Sequence, residues 1–405
     1  MPNRGVGSTV ANKGLTKAEL KAEINRRVDE QRQELIELSL KIHDNPETGF
    51  KEEKASVWLT GYLAKRGFHI EKGIGGLPTA FKAVYGSNKP AIALLAEYDA
   101  LPEIGHACGH NIIAASAVGA AVASKSIVDN FGGTVYVFGT PAEELFGGKV
   151  SMLQAGVFEG MDAAMIVHPG VLDTATCKAL ACIGLDVEFF GKAAHAAAYP
   201  EEGINALEAM ILAFNAVNSL RQHIRDGARI HGIITHGGEA ANVVPAYSAA
   251  SFYVRSQDTV YLDELKQKVI KCFEGTALAT GARLAYKWHD IVYAPMKNNL
   301  ALAQLFTHNL ESLGRKVASL QSLYAFGSTD MGNVSQVVPA IHPFVAIVSA
   351  DVLLHSADFV LAAASESGHK GLLDAAKALA MTVADLLGEP ENMARVKSEF
   401  SGKKR

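Results

Sequence analysis

Three short apolar runs rich in β-forming residues, AIALLAE (91–97), TVYVFG (134–139) and AAMIVH (163–168), constrain the fold of this chain more than any other feature. The stretches between and after them, 111–127 and 149–156, carry helical patterning. Runs that are apolar throughout suit strands buried on both faces, and strand alternating with helix predicts a parallel sheet flanked by helices. In such sheets ligands collect beyond the carboxyl ends of the strands. The polar residues that stand out in this sequence follow those strands.

The rest of the chain extends that plan. Residues 1–14 are small and polar without periodicity, and are expected to form a mobile tail. Residues 17–45 read as one amphipathic surface helix and 52–66 as a second. Between 183 and 295 the texture changes: GLDVEFFG and ASFYVRS alternate like half-exposed strands, around helices at 205–223 and 263–274. Beyond residue 300 helices return with one buried strand, FVAIVS (344–349), and a long helix at 368–387. The fold expected is therefore α/β, with a mostly parallel sheet flanked by helices built from residues 1–182 and 298–405. An α+β domain, 183–297, is inserted into it.

Composition excludes several classes. Of 405 residues, 38 are Lys or Arg and 42 Asp or Glu, so the formal charge of −4 gives no bulk attraction to nucleic acid. The most apolar stretch, IIAASAVGAAVA, is too short and too rich in Ala and Gly to span a membrane. The N-terminus lacks the apolar stretch of a secretory signal, so a cytoplasmic address is expected. Cys108, Cys177, Cys182 and Cys272 are too few and scattered for a disulfide framework, which favours reduced thiols. The last three are expected in the core or without a role.

Two clusters carry chemistry. EYDALPEIGHACGHN places Asp99, His106, Cys108 and His110 in one loop after a strand, and a Cys-x-His pair offers two ligands to a borderline metal. A glycine-containing turn with incidental histidines is the plainer alternative. TPAEEL puts two adjacent carboxylates at the next strand end, where their repulsion asks for a cation or a shared proton. One could bind metal while its neighbour takes a proton from metal-activated water attacking a carbonyl. An acidic helix N-terminus is the competing explanation. His168 and His355 follow further strands, so Cys108, His110, Glu144, His168 and His355 would all meet at one edge of one sheet.

At these positions the chain resembles the M20 metallopeptidase family. The likeness is greatest to its branch of amidohydrolases marked by HACGH, and there to the M20 domain-containing dipeptidase group. The matching motifs are EYDALPEIGHACGHN, GTPAEE, IVHPG, GKAAHAAAYPEEGINAL, ANVVP with Arg255, GSTDMGNVSQVVP and LLHSADF. Asn111 stands where much of the branch has Asp, and HSADF lacks a common Pro, but neither change removes a proposed ligand.

The resemblance implies that Cys108, His110, Glu144, His168 and His355 hold one or two divalent metal ions, with Cys108 a bridge. Zinc comes first, with manganese or cobalt as alternatives. It implies that Glu143 is the general base, that Asp99 orients a ligand, and that His195 stabilises the oxyanion, often in the partner subunit's site. Asn242 and Arg255 would meet the substrate's carboxylate, and Gly327 and Asp330 would belong to a pocket loop. The inserted domain would be a lid and dimerisation unit, making a homodimer. The activity implied is hydrolysis of an amide bond in a small dipeptide or N-acyl amino acid. Two alternatives stay open: an aminoacylase-like or aryl-acyl amino acid amidohydrolase, and a metal-binding regulatory protein without turnover. A spare carboxylate beside Glu144 favours an enzyme.

Overall fold

The computed structural model describes residues 16–319 and 327–402. The expected N-terminal tail, 1–14, lies outside the described residues. In chain order, β1 (His69–Lys72), β2 (Phe81–Gly86), β3 (Ala91–Ala96), β4 (Thr134–Gly139) and β5 (Ala163–Met165) lead to β6 (His168–Gly170). There follow β7 (Ala181–Phe190), β8 (Arg229–His236), β9 (Tyr247–Ser256) and β10 (Arg283–Tyr293), then β11 (Ala340–Ile341) and β12 (Phe344–Ala346).

Six strands form one sheet in the order β1-β2-β4-β3-β5-β11. β4, β3, β5 and β11 run parallel, while β1 and β2 join antiparallel at one edge. Every residue of β3 is buried, as a strand covered on both faces requires. Its Ile92, Leu94 and Ala96 pack into the cluster shared with helices His110–Ala123 and Glu366–Gly388. Its Ala93 and Leu95 face the opposite layer, against Met152, Phe158 and Met331. The apolar stretch His110–Phe131 is a core element, with 83% of its most apolar window buried.

Two sequence expectations need correction. Residues 17–45 form two helices, Lys17–Glu30 and Arg32–His43, broken at Gln31, whose side-chain oxygen accepts a hydrogen bond from the Tyr62 hydroxyl at 2.7 Å. Their apolar stripes are fully packed, with Ile24, Val28, Leu35 and Ile42 buried. His168 does not end the third strand, because β5 stops at Met165 and His168 opens β6. β6 pairs in parallel with β12, His168 beside Phe344, in a separate two-stranded ladder. Pro169 and Pro343 lack the N–H that a continuous ladder would use.

A second sheet, ordered β10-β7-β9-β8, is antiparallel throughout. Helices Ala206–Leu220 and Thr259–Thr280 cover one face, burying Leu185, Val187, Phe189, Phe252 and Val254 against Met210, Leu265 and Phe273. The second helix is longer than its apolar pattern suggests, because Asp258 caps it, accepting from the Tyr261 N–H at 2.6 Å.

Candidate active site

The loops after β3, β4 and β12, with β6, bring five distant side chains to one point. After β3 the chain reaches Cys108 and His110 through Gly109, which has a φ of +76°. A Cβ on Gly109 would lie 2.5 Å from the Pro169 ring, so only glycine lets this loop press against the residue after His168. The Sγ of Cys108 lies 3.2 Å from Nε2 of His168. Nδ1 of His110 is held by the backbone oxygen of Asp99 at 2.9 Å and by its carboxylate at 3.1 Å, which leaves Nε2 pointing inward. The other Asp99 carboxylate oxygen accepts from the Glu144 N–H at 3.0 Å. His355, half exposed, brings Nε2 to 3.7 Å from Glu144, and its N–H donates to the Ala107 carbonyl at 3.0 Å.

These donors form overlapping triads whose ligand atoms lie within 4.8 Å of one another: Cys108 with His110 and His168, and Cys108 with Glu144 and His355. A third unites His110, Glu143 and Glu144. The buried Nε2 of His110 and one carboxylate oxygen of Glu144 have no hydrogen-bond partner among the described residues. Buried polar atoms are normally paired, so atoms left facing one another in this way fit a cation between them. The charge balance agrees. Burial, reinforced by Glu144, pushes the Cys108 thiol well above its ordinary range, and burial pulls His168 down to about 3. A bound cation would favour the thiolate over the thiol.

Behind this centre sits a buried ionic cluster whose long-range pairing left no local signal in the sequence. Nζ of Lys149 lies 2.6 Å from Glu97 and 2.7 Å from Asp330, all three fully buried. The Lys149 N–H donates to the other Asp330 oxygen at 2.9 Å. Burial opposes the charge on Lys149, but the two carboxylates outweigh it and raise its pKa. Glu97, Asp330 and the carboxylate of Glu143 lie within 4.8 Å of one another. Burial first, then Glu97 and Asp330, hold the Glu143 carboxyl well above its ordinary range. Asp330, expected in a pocket loop, is the buried counter-charge of Lys149.

A cavity of about 330 Å³ opens over Glu143, Glu144 and His355. Its walls include Leu145, Ile291, Tyr293, Tyr253, Arg255 and Gly327. Arg255 crosses from the second sheet to donate to the Ser328 hydroxyl at 2.8 Å. Cys182, expected to have no role, also lines this cavity. His195 and Asn242 do not. They are exposed and lie together on the second unit, where the Asn242 carbonyl accepts from the Ala196 N–H at 3.0 Å.

The sheet, the thiolate–imidazole–carboxylate donor set and the free acid beside it define a metal-dependent amide hydrolase. The profile of the peptidase dimerisation domain of M20 enzymes matches residues 182–280. The mouse Xaa-Arg dipeptidase is 38% identical over 95% of this chain and 93% of its own. One component of the Escherichia coli p-aminobenzoyl-glutamate hydrolase is 31% identical over 90% of this chain and 91% of its own. A dinuclear metal-binding peptidase of the M20 family from Bacillus subtilis shares the fold, with a TM-score of 0.70 at 20% identity over 89% of this chain and 99% of its own. The chain belongs to the M20 metallopeptidase family.

Proposed function

We propose that this enzyme hydrolyses the amide bond of a small dipeptide or N-acyl amino acid, with Cys108, His110, Glu144, His168 and His355 holding one or two divalent ions. The observation that carries this reading is the shared placement of Cys108 in two donor triads, with the Glu143 carboxylate left over beside Glu144. Zinc suits the thiolate and imidazoles, and manganese or cobalt suit the same set less well. When bound, the ion supplies Lewis acidity and a field that acidifies water.

The chain's own residues do the rest. Glu143, whose carboxyl burial holds above its ordinary range, takes the proton from the attacking water and returns it to the departing nitrogen. Asp99 fixes the His110 ring so that only Nε2 faces the ion. Arg255 presents its guanidinium to the carboxylate of the substrate, and a cavity of about 330 Å³ suits a ligand of few residues.

His195 and Asn242 act in trans in this reading, reaching the cavity of a second protomer in a homodimer built through the inserted unit, 183–297. Their exposure away from their own cavity and the match to a peptidase dimerisation domain support it. The free thiols of Cys177, Cys182 and Cys272 support a cytoplasmic setting. The mouse relative's name favours a dipeptide with a basic residue, and the Escherichia coli relative's name, with the apolar walls Leu145 and Ile291, keeps an aryl-acyl amino acid as the second reading. Steady-state assays over dipeptides and acyl amino acids decide: the higher kcat/KM on dipeptides is expected, and no turnover of either class by the metal-loaded enzyme would reject the proposal.

A further inference from the structure

We propose that Tyr293 is a positioning residue that aims Glu143, and that the inserted unit is thereby wired to the general base. This rests on the assignment of Glu143 as the base. Glu143 sits in a helix of four residues, Glu143–Phe146, between two left-handed residues, Ala142 (φ +61°) and Gly147 (φ +56°), with no side-chain cap. A single turn of that kind does not hold itself in place. Its orientation comes from outside. The peptide joining Glu143 to Glu144 is gripped at both ends: its N–H donates to Asp99 at 3.0 Å, and its carbonyl accepts from the Tyr293 hydroxyl at 2.9 Å. Tyr293 holds the Glu143 end of that peptide plane, and Asp99 holds the Glu144 end.

Tyr293 is itself fixed from two sides. It is the last residue of β10, and Asn333 clamps the backbone around it, donating to the Val292 carbonyl at 2.9 Å and accepting from the Ala294 N–H at 2.9 Å. Gly332, next to Asn333, allows that approach, because a Cβ there would lie 2.0 Å from the Ala294 carbonyl oxygen. The Tyr293 ring in turn occupies the space where Gly147 has no side chain, 2.6 Å from the position a Cβ would take. Contacts from two separate parts of the chain, Gly147 on the ring and Gly332 with Asn333 on the flanking backbone, thus fix the residue that carries the hydroxyl. The GSTDMGN segment gains a role through Asn333, and the strand that carries Tyr293 belongs to the sheet of the inserted unit.

The test is Tyr293→Phe in the metal-loaded enzyme, which removes one hydroxyl and keeps the ring against Gly147. The expected result is a fall in kcat of about tenfold, the worth of one hydrogen bond, with KM and bound metal unchanged. Asn333→Ala is expected to lower kcat in the same way, and a Tyr293→Phe change made on top of Glu143→Gln to cost nothing further in residual turnover. Wild-type kcat in Tyr293→Phe, loss of metal in step with activity, or additive losses in the double variant would each overturn the proposal. Failure of the base assignment would show separately, as a Glu143→Gln enzyme that still turns over at the wild-type rate.

Discussion

The sulfur of Cys108 lies 3.2 Å from Nε2 of His168, although 60 positions separate them in sequence. The contact depends on Gly109, which lets the first loop pass over Pro169, and on the switch from β5 to β6, which turns His168 inward. The loop after β3 and the first residue of β6 thus present a thiol and an imidazole to the same small volume, with Glu144 and His355 close by.

Glu143→Gln keeps the shape of the side chain but removes the proton acceptor. Turnover is expected to fall by about 10²–10⁴, while metal content by elemental analysis stays at the wild-type ratio. A variant that loses its metal would reassign Glu143 as a ligand.

Lys149→Met leaves Glu97 and Asp330 buried without their cation. Breaking a buried pair by removing one partner costs about 3–5 kcal/mol, so the urea midpoint is expected to fall sharply. A midpoint equal to that of wild type would mean that the cluster contributes nothing to stability.

Glu52 is fully buried, accepting from the Ala142 N–H at 2.8 Å and the Thr79 hydroxyl at 2.9 Å. Burial raises its carboxyl from 4.5 to about 7. Because the folded pKa lies above the unfolded one, its share of stability is complete below about 4.5 and is lost as pH rises through about 7. In chelated protein, Glu52→Gln cannot ionise and is expected to gain on wild type by about 3 kcal/mol across that window. Urea unfolding at both ends of the window reads the difference, and an unchanging gap would contradict it.

Arg255→Ala is expected to raise KM about 10- to 100-fold for substrates ending in a carboxylate, the worth of a charged hydrogen bond, and to leave KM for the matching C-terminal amide nearly unchanged. Equal effects on both would place the carboxylate elsewhere.

The strands and the side chains that converge at the candidate metal site were the most legible features of the sequence. β3 and β4 show themselves because a strand covered on both faces is apolar throughout, and the donors because each follows such a run. The helix break at Gln31 was hidden, since the residue that holds Gln31 there, Tyr62, lies 31 positions away. Lys149 reads as an ordinary helical lysine among GGKVSMLQ, and only the fold brings Glu97 and Asp330 to it. The pairing of Asp330 was hidden for the same reason: a carboxylate in a polar loop gives no sign of a buried partner distant in sequence. Tyr293 and Asn333 act through backbone atoms, which leave no mark in residue type.

Absorption of the cobalt-loaded enzyme in the near ultraviolet tests the metal centre most directly, because a thiolate bound to cobalt gives a charge-transfer band that imidazole and carboxylate do not. The band is expected in the wild type and in Cys177→Ser, and is expected to vanish in Cys108→Ser. Its absence from the wild type, or its survival in Cys108→Ser, would contradict a centre built on Cys108.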